Sequence, residues 1–289
     1  MNEIRCIDAL IGLAELPEQS ADIIIADPPY NIGKDFGGTS NDNMPIKDYV
    51  DWCDKWLDTC VQVLKDSGTM YIYGFAEILA HLSIRLPYPL EHRWLVWSYK
   101  NKTVPRLNFW QRSHESILCC WKYENQRIFN TDAVREPYTD TFLKNAAGKV
   151  RKGTKGRYSH EGKETIYNAN EHGALPRDVI NCSALAGGAG AKERWFYCKT
   201  CGDAFPNKLM SEHMDHITIH HPTQKPYELT KRLLLAAKPQ EGGVVVVPFV
   251  GSGSECAVSA DLGMQYLGFE TNEDYIKLAE GFLHKRVIH

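Results

Sequence analysis

Short unbroken apolar runs alternate along this chain with longer stretches in which apolar residues recur every three or four positions. Ile23-Ile24-Ile25-Ala26 and Val244-Val245-Val246-Val247 are short and continuous, which predicts strands buried on both faces. Between residues 46 and 64, Ile46, Tyr49, Val50, Cys53, Trp56, Leu57, Cys60 and Leu64 fall on one helical face, bracketed by Met44-Pro45 and Ser67-Gly68. Strands are also predicted at 69–73, 94–99, 116–121 and 265–269. Helices are predicted at 227–237, where Pro226 suits a first turn, at 255–262, and at 273–283, where Asn272 is placed as the cap. Strand–helix alternation of this kind predicts an α/β fold with a doubly wound, mainly parallel sheet. No internal repeat interrupts it.

The run 23–26 ends on Asp27-Pro28-Pro29-Tyr30. A carboxylate at the tip of a parallel strand sits where such sheets place their chemistry. Two prolines fix φ twice and remove two N–H donors, leaving a stiff turn with free carbonyls. With the ring of Tyr30 beside them, these groups suit capture of a planar amine such as adenine. Taken alone, the four residues also fit an ordinary proline-rich turn.

The run 244–247 leads into Pro248-Phe249-Val250-Gly251-Ser252-Gly253-Ser254 and then a predicted helix. Strand, glycine turn and helix form a nucleotide-binding arrangement, because glycines admit a ligand close to the backbone at a helix N-terminus. The next strand ends on Glu270, at the spacing of an acid that holds a ribose hydroxyl.

Together, Asp27–Tyr30, Phe249–Gly253 and the linking His221-Pro222-Thr223-Gln224-Lys225-Pro226 resemble the DNA amino methyltransferases. The catalytic tetrapeptide precedes the cofactor turn, as in the β-class N6-adenine and N4-cytosine enzymes. Arg5-Cys6-Ile7-Asp8-Ala9-Leu10 is similar to that class as well. The likeness spans about the first 125 and last 70 residues. It implies a Rossmann-like methyltransferase sheet using S-adenosylmethionine, with double-stranded DNA as partner. Asp27 and the Pro28 carbonyl would hold the amine, Pro29 would stiffen the turn, and Tyr30 would stack on a flipped base. Asp8, Thr223, Phe249, Gly251, Gly253, Ser254 and Glu270 would form the cofactor site, with Asp8 on the adenine and Glu270 on the ribose. Lys225 has no assigned role beyond pinning its loop. Asp27→Ala is expected to abolish transfer and leave the fold intact. One position departs from the family: Val247 stands where an aspartate usually anchors the amino-acid end of the cofactor.

Composition fits an intracellular enzyme, and the resemblance implies one that is cytoplasmic in a prokaryote or phage-encoded. No apolar run is long enough to span a bilayer, residues 1–5 lack a signal-peptide pattern, and nine cysteines without one argue against a disulfide framework. The net charge of −3 hides an asymmetry: seven Lys/Arg face Glu161 alone between residues 144 and 163, a charge of +6 against −9 elsewhere. Lys149, Arg151, Lys152, Lys155 and Arg157 are therefore candidate phosphate contacts, although a solvated loop gives the same pattern. Residues 126–218, which break the strand–helix alternation, are expected to form a target-recognition insert between catalytic segments 1–125 and 219–289.

Within that insert, Cys198, Cys201, His213 and His216 have the spacing C-x2-C-x11-H-x2-H, with His220 as an alternative last ligand. Such a set suits a closed, structural zinc site. The family resemblance does not imply it, and unpaired cysteines beside unrelated histidines are the plain alternative. Three functions stay open: N6-adenine methylation of DNA, favoured by Asp27 where many N4-cytosine enzymes carry serine; N4-cytosine methylation; and a non-catalytic, zinc-containing DNA-binding protein. The class also admits a homodimer and a cognate restriction endonuclease as partners.

Overall fold

The computed structural model describes residues 2–36, 42–101, 108–152, 164–186 and 190–286. The chain divides into two compact units, one of Met1–Phe129 with Asp178–His289 and one of Asn130–Arg177. In the first unit the elements run β1 (Asn2–Cys6), α1 (Ala9–Ala14), β2 (Ala21–Ala26), α2 (Ile46–Val63), β3 (Leu64–Gly74), α3 (Ala76–Ser83), β4 (Glu91–Ser98) and β5 (His114–Trp121). The second unit contains α4 (Asp140–Asn145) and a two-stranded antiparallel ribbon of β6 (Val150–Lys152) and β7 (Glu164–Ile166). The first unit resumes with β8 (Val179–Asn181), β9 (Trp195–Cys198), β10 (Asp203–Pro206), β11 (Thr218–Ile219), α5 (Tyr227–Ala237), β12 (Val244–Val247), α6 (Ser254–Asp261), β13 (Gln265–Glu270) and α7 (Glu273–Arg286).

Eight strands form one sheet in the order β1-β13-β12-β2-β3-β5-β4-β8, parallel throughout except around β5. Both faces are covered, and the alternation along each strand shows how. Ile23, Ile25, Tyr71, Tyr73, Val245 and Val247 meet α5, α6 and α7 on one face. Ile24, Ala26, Met70, Ile72, Val246 and Leu267 meet α1, α2 and α3 on the other. Unbroken apolar runs are what a strand buried on both sides requires.

The predicted doubly wound sheet is present, with shifted boundaries. Leu64, expected in the helix, opens β3 because it pairs with Ala21. β4 begins at Glu91, which pairs with Trp121. β1 carried no apolar run because it is a partly exposed edge strand. Residues 178–218, grouped by sequence with the insert, lie in the first unit: β8 pairs with β4, and the small sheet β10-β9-β11 packs on α7, with Trp195 against Phe282 at 4.7 Å.

β2 and β12 are neighbours, yet the chain leaves them in opposite directions, β2 towards β3 and β12 towards β13. A crevice opens beyond such a reversal. Both motif turns lie there, Asp27–Tyr30 after β2 and Phe249–Gly253 after β12. The chain leaving Tyr30 is held by buried Asp42, whose carboxylate accepts from the backbone of Asn31 (2.6 Å), Ile32 (3.2 Å) and Lys34 (2.7 Å). Asp42→Ala strands three donors and should lower unfolding free energy by about 2–4 kcal/mol, measured by urea denaturation.

Candidate active site

Asp27 lies at the floor of the crevice with 10% of its side chain exposed. Its Oδ2 accepts from Lys225 Nζ at 2.6 Å and its Oδ1 from the Tyr30 hydroxyl at 2.8 Å. Each oxygen keeps one lone pair after these bonds. Lys225 is buried more deeply still; its ammonium also reaches the Thr223 carbonyl at 3.3 Å and stands 5.0 Å over the Tyr73 ring. Burial raises the Asp27 pKa, opposed by Lys225 and the Tyr30 hydrogen bond. Burial would lower that of Lys225, but the charges of Asp27 and Glu115 outweigh it, and the pKa rises. Two donors on one carboxylate are the geometry of an ionised Asp27 beside a charged lysine.

The Pro28-Pro29 turn is fixed from outside: the Tyr49 hydroxyl donates to the Pro29 carbonyl at 2.6 Å. The Pro28 carbonyl accepts no hydrogen bond among the described residues. Tyr30 is buried, its ring edge-on to Phe75 at 5.1 Å and its hydroxyl 3.3 Å from Glu115 Oε2. Two further buried carboxylates surround this centre. Glu115 lies on β5 within 3.4 Å of the Tyr99 hydroxyl. Glu255, at the start of α6, has its pKa pushed up to about 7 by burial and the nearby charge of Asp27.

Opposite Asp27, Glu270 ties two loops together. Its Oε2 accepts from Gly251 N at 2.8 Å, and its Oε1 accepts from Thr271 N and Asn272 N at 2.9 Å each. Burial raises its pKa against these three bonds. Phe249 sits against Trp52 and Trp56, with ring centroids 5.7 and 5.6 Å away. Asp8 caps α1 through Leu10 N at 2.9 Å. The His221 ring lies between Phe36 and Tyr275, and its pKa falls to about 3 through burial and the charges of Lys225 and Lys34. Burial therefore favours its neutral form.

A pocket of about 340 Å³ lies between the turn after β2 and the turn after β12. Its walls include Asp8, Asp27, Pro28, Pro29, Tyr30, Thr223, Phe249, Gly251 and Glu270. Nine of the eleven residues expected for catalysis and cofactor are thus brought together. The other two are not on its wall. Gly253, at φ +80°, heads α6, where an added Cβ would lie 2.7 Å from that of Ala279. Ser254 is buried and donates to Glu255 at 2.7 Å. Gly251, at φ +51°, makes room for His221, whose ring an added Cβ would meet at 2.7 Å. Val247 is buried in the sheet opposite Gly268 and packs with Ile23 and Tyr73.

Sequence reasoning missed Glu115 and Asp42 and gave Lys225 too small a part. Glu115 carries a weak signal, an acid at the head of the apolar strand 116–121. Lys225 carries none, because its partner is 198 residues away in sequence.

Two other predicted groups lie outside the pocket. Cys198 and Cys201 flank a turn with Gly202 at φ +73°, and their sulfurs approach the nearest nitrogens of His216 and His213 at 3.3 and 3.8 Å. His220 instead packs its ring on Phe196. Of the basic run, Lys149 is exposed and donates to the Lys144 carbonyl, while Arg151 and Lys152 belong to β6. Lys155 and Arg157 lie outside the described residues. Among the described residues no helix is long and apolar enough to cross a membrane.

The family model for "DNA methylase" matches residues 21–281. Type II methyltransferase M.HpaI of Haemophilus parainfluenzae is 30% identical over 95% of this chain and 72% of its own length. DNA adenine methyltransferase YhdJ of Escherichia coli K12 is also 30% identical, over 96% of this chain and 82% of its own length. Among solved structures, PvuII DNA methyltransferase, cytosine-N4-specific, superposes with a TM-score of 0.62 at 15% identity, covering 98% of this chain and 86% of that one. M1.HpyAVI in complex with SAM gives 0.58 at 17% identity, covering 99% of each chain. These structures share the fold; the family match and the two sequence relatives decide membership. The chain belongs to the DNA amino methyltransferase family.

Proposed function

We propose that this chain transfers a methyl group from S-adenosylmethionine to the N6 amine of an adenine flipped out of duplex DNA. The observation that carries the reading is a buried Asp27 with spare acceptor capacity, facing Phe249, Gly251 and Glu270 across one pocket. The pocket is within the size range of small-molecule sites. S-adenosylmethionine supplies a methyl already activated on a sulfonium, whose sulfur takes the bonding pair as the methyl leaves. Glu270 keeps one lone pair for a ribose hydroxyl after its three backbone bonds. Phe249 offers an apolar wall, Asp8 an acceptor for the adenine amine, and Thr223 a hydroxyl for the amino-acid end.

The acceptor amine is the harder partner, because its lone pair is delocalised into the ring. One amine N–H donates to Asp27 and the other to the Pro28 carbonyl, which draws the nitrogen towards tetrahedral geometry. The lone pair then forms the new N–C bond, and the proton displaced from nitrogen passes to Asp27. Orientation and preorganised charge carry the rate. Lys225 and Tyr30 hold the carboxylate in place. Asp27, Glu115 and Glu255 against Lys225 favour a cationic methyl donor. Gly253 and Ser254 serve this site indirectly, by seating α6.

Adenine is favoured over cytosine by Asp27 itself and by likeness to an adenine methyltransferase along 96% of this chain, whereas the N4-specific neighbour shares only the fold. The basic segment 144–163 would track the phosphate backbone, and a target amine held at Asp27 inside a pocket calls for a base flipped out of the duplex. Likeness to a Type II methyltransferase favours a cognate restriction endonuclease as genetic partner.

Incubation with duplex DNA and labelled S-adenosylmethionine, followed by nucleoside digestion, should yield N6-methyladenine. N4-methylcytosine would move the assignment to the other base, and unlabelled DNA would refute the reading. Asp27→Ala should abolish transfer. It should also cost about 3–5 kcal/mol of stability by leaving Lys225 buried without its carboxylate, so the sequence-based expectation of an intact fold needs the double variant Asp27→Ala/Lys225→Met. In a urea titration the double variant should recover most of that loss and stay inactive. The acid limb of kcat against pH should lie above the ordinary carboxylate range, because burial raises the Asp27 pKa. Lys225→Met removes the charge that favours ionised Asp27, so that limb should move up by about 1–3 pH units.

A further inference from the structure

We infer that Cys198, Cys201, His213 and His216 form a structural zinc site that holds the β10-β9-β11 sheet and, through it, the loop carrying His221 and Lys225. The metal site is independent of the methyl-transfer reading; its link to the pocket rests on the proposed cofactor. One ligand atom from each of the four residues lies within 4.8 Å of all the others. Cys198 Sγ is 3.3 Å from His216 Nδ1, Cys201 Sγ is 3.8 Å from His213 Nδ1, and the two Nδ1 atoms are 3.2 Å apart. Zinc bonds of about 2.3 Å to sulfur and about 2.0–2.1 Å to nitrogen give tetrahedral edges of about 3.5 Å for S–N and about 3.3 Å for N–N. The three edges at 3.3, 3.8 and 3.2 Å lie within about 0.3 Å of those values.

Hydrogen bonding alone does not account for the cluster. His216 Nδ1 faces both a sulfur and a second imidazole nitrogen, and one ring proton satisfies only one of them. A cation at the centre takes all four lone pairs together. Two sulfurs with two imidazoles are a borderline-soft set that suits zinc, and four protein ligands leave no open position for chemistry.

The surroundings are built for a metal knuckle. Cys201 N donates to Cys198 Sγ at 3.4 Å, and Gly202 N donates to the Cys198 carbonyl at 2.8 Å. His213 stacks on Phe205 at 3.8 Å, which fixes its ring plane. The sheet itself is small: β9 and β10 have four residues each and β11 has two. Its own interior consists of Phe196, Cys198 and Phe205, with Leu209 and Met210 at the margin. A core of that size needs a staple.

The knuckle also sets the course of the chain beyond it. Lys199 N donates to the Ile217 carbonyl at 2.8 Å, and Ile217 N donates to Thr200 Oγ1 at 3.0 Å. Cys198 to Cys201 is thereby registered against His216 and β11, which ends two residues before His221. His221 then fills the space left by Gly251, and Lys225 reaches Asp27. Metal at the knuckle would set the position of one wall of the pocket from outside it.

Metal analysis of the purified full chain should find one zinc per chain. Cys201→Ser and His213→Asn should each lose it, with a lower melting temperature, while His220→Asn should keep it. Reversible removal from the wild-type chain with a chelator, then addition of Co(II), should give the visible d–d bands and thiolate charge-transfer absorption of a tetrahedral S2N2 site. That readout needs neither a folded variant nor DNA. S-adenosylmethionine affinity should fall on zinc removal and return on reconstitution. A folded wild-type chain from zinc-replete cells that holds no zinc and takes up neither zinc nor cobalt would overturn the site. Retention of one zinc by both ligand variants would overturn it as well, and unchanged cofactor affinity in zinc-free protein would overturn the link to the pocket.

Discussion

A carboxylate buried to this depth needs a cation, and the architecture around Asp27 follows from that requirement. Lys225 supplies the charge from a loop 198 residues further along the chain, entering the crevice between two prolines. The pair joins the turn after β2 to the segment before α5. In doing so it settles where Thr223 and His221 stand relative to the glycine turn. Taking both charges out of water costs several kcal/mol per ion, and their attraction offsets this only when the geometry is good. The Tyr30 hydroxyl and the Thr223 carbonyl add hydrogen bonds that complete the arrangement. An ion pair of this kind is a weak source of stability and a strong source of position. Position is what methyl transfer to a weakly nucleophilic amine requires.

The sheet was readable in the sequence because strands buried on both faces leave unbroken apolar runs. Val244–Val247 and Tyr227–Ala237 fall where the pattern puts them. β1 was not readable because an edge strand has no such run, and α1, with six residues, is too short to show a period. The site was legible where chemistry is written in consecutive residues, as in Asp27–Tyr30. It was illegible where the chemistry lies in a pairing across the fold, as between Tyr30, Glu115 and Lys225. The glycines show the difference well. Gly251 and Gly253 were read as openings for a ligand, yet His221 and Ala279 occupy the space each one leaves. A glycine in a motif reports close approach without saying what approaches.

Val247 gains a physical account from the same sheet. Its side chain packs with Ile23 and Tyr73, in a layer that already contains the carboxylates of Asp27, Glu115 and Glu255 nearby. Burial and the charge of Asp27 already push Glu255 up to about 7. A fourth acid at position 247 would add to that repulsion, whereas valine adds apolar contact. On the proposed reading, anchoring the amino-acid end of the cofactor would fall to groups on the pocket wall, with Thr223 a polar candidate in the linking loop.

The pairing of β1 with β13 bears on how the molecule is made. Residues 2–6 find their sheet partner in residues 265–270, and Tyr266 N donates to the Asn2 side chain across 264 positions of sequence. During synthesis β1 therefore waits, unpaired, until β13 has been made. The crevice likewise closes only when β12, β13 and α7 arrive, since Gly251, Glu270 and Tyr275 are its far wall. A nascent chain halted at β11 would already carry Asp27 without its lysine. Such a chain would expose an apolar sheet edge at β2 and lack a complete pocket.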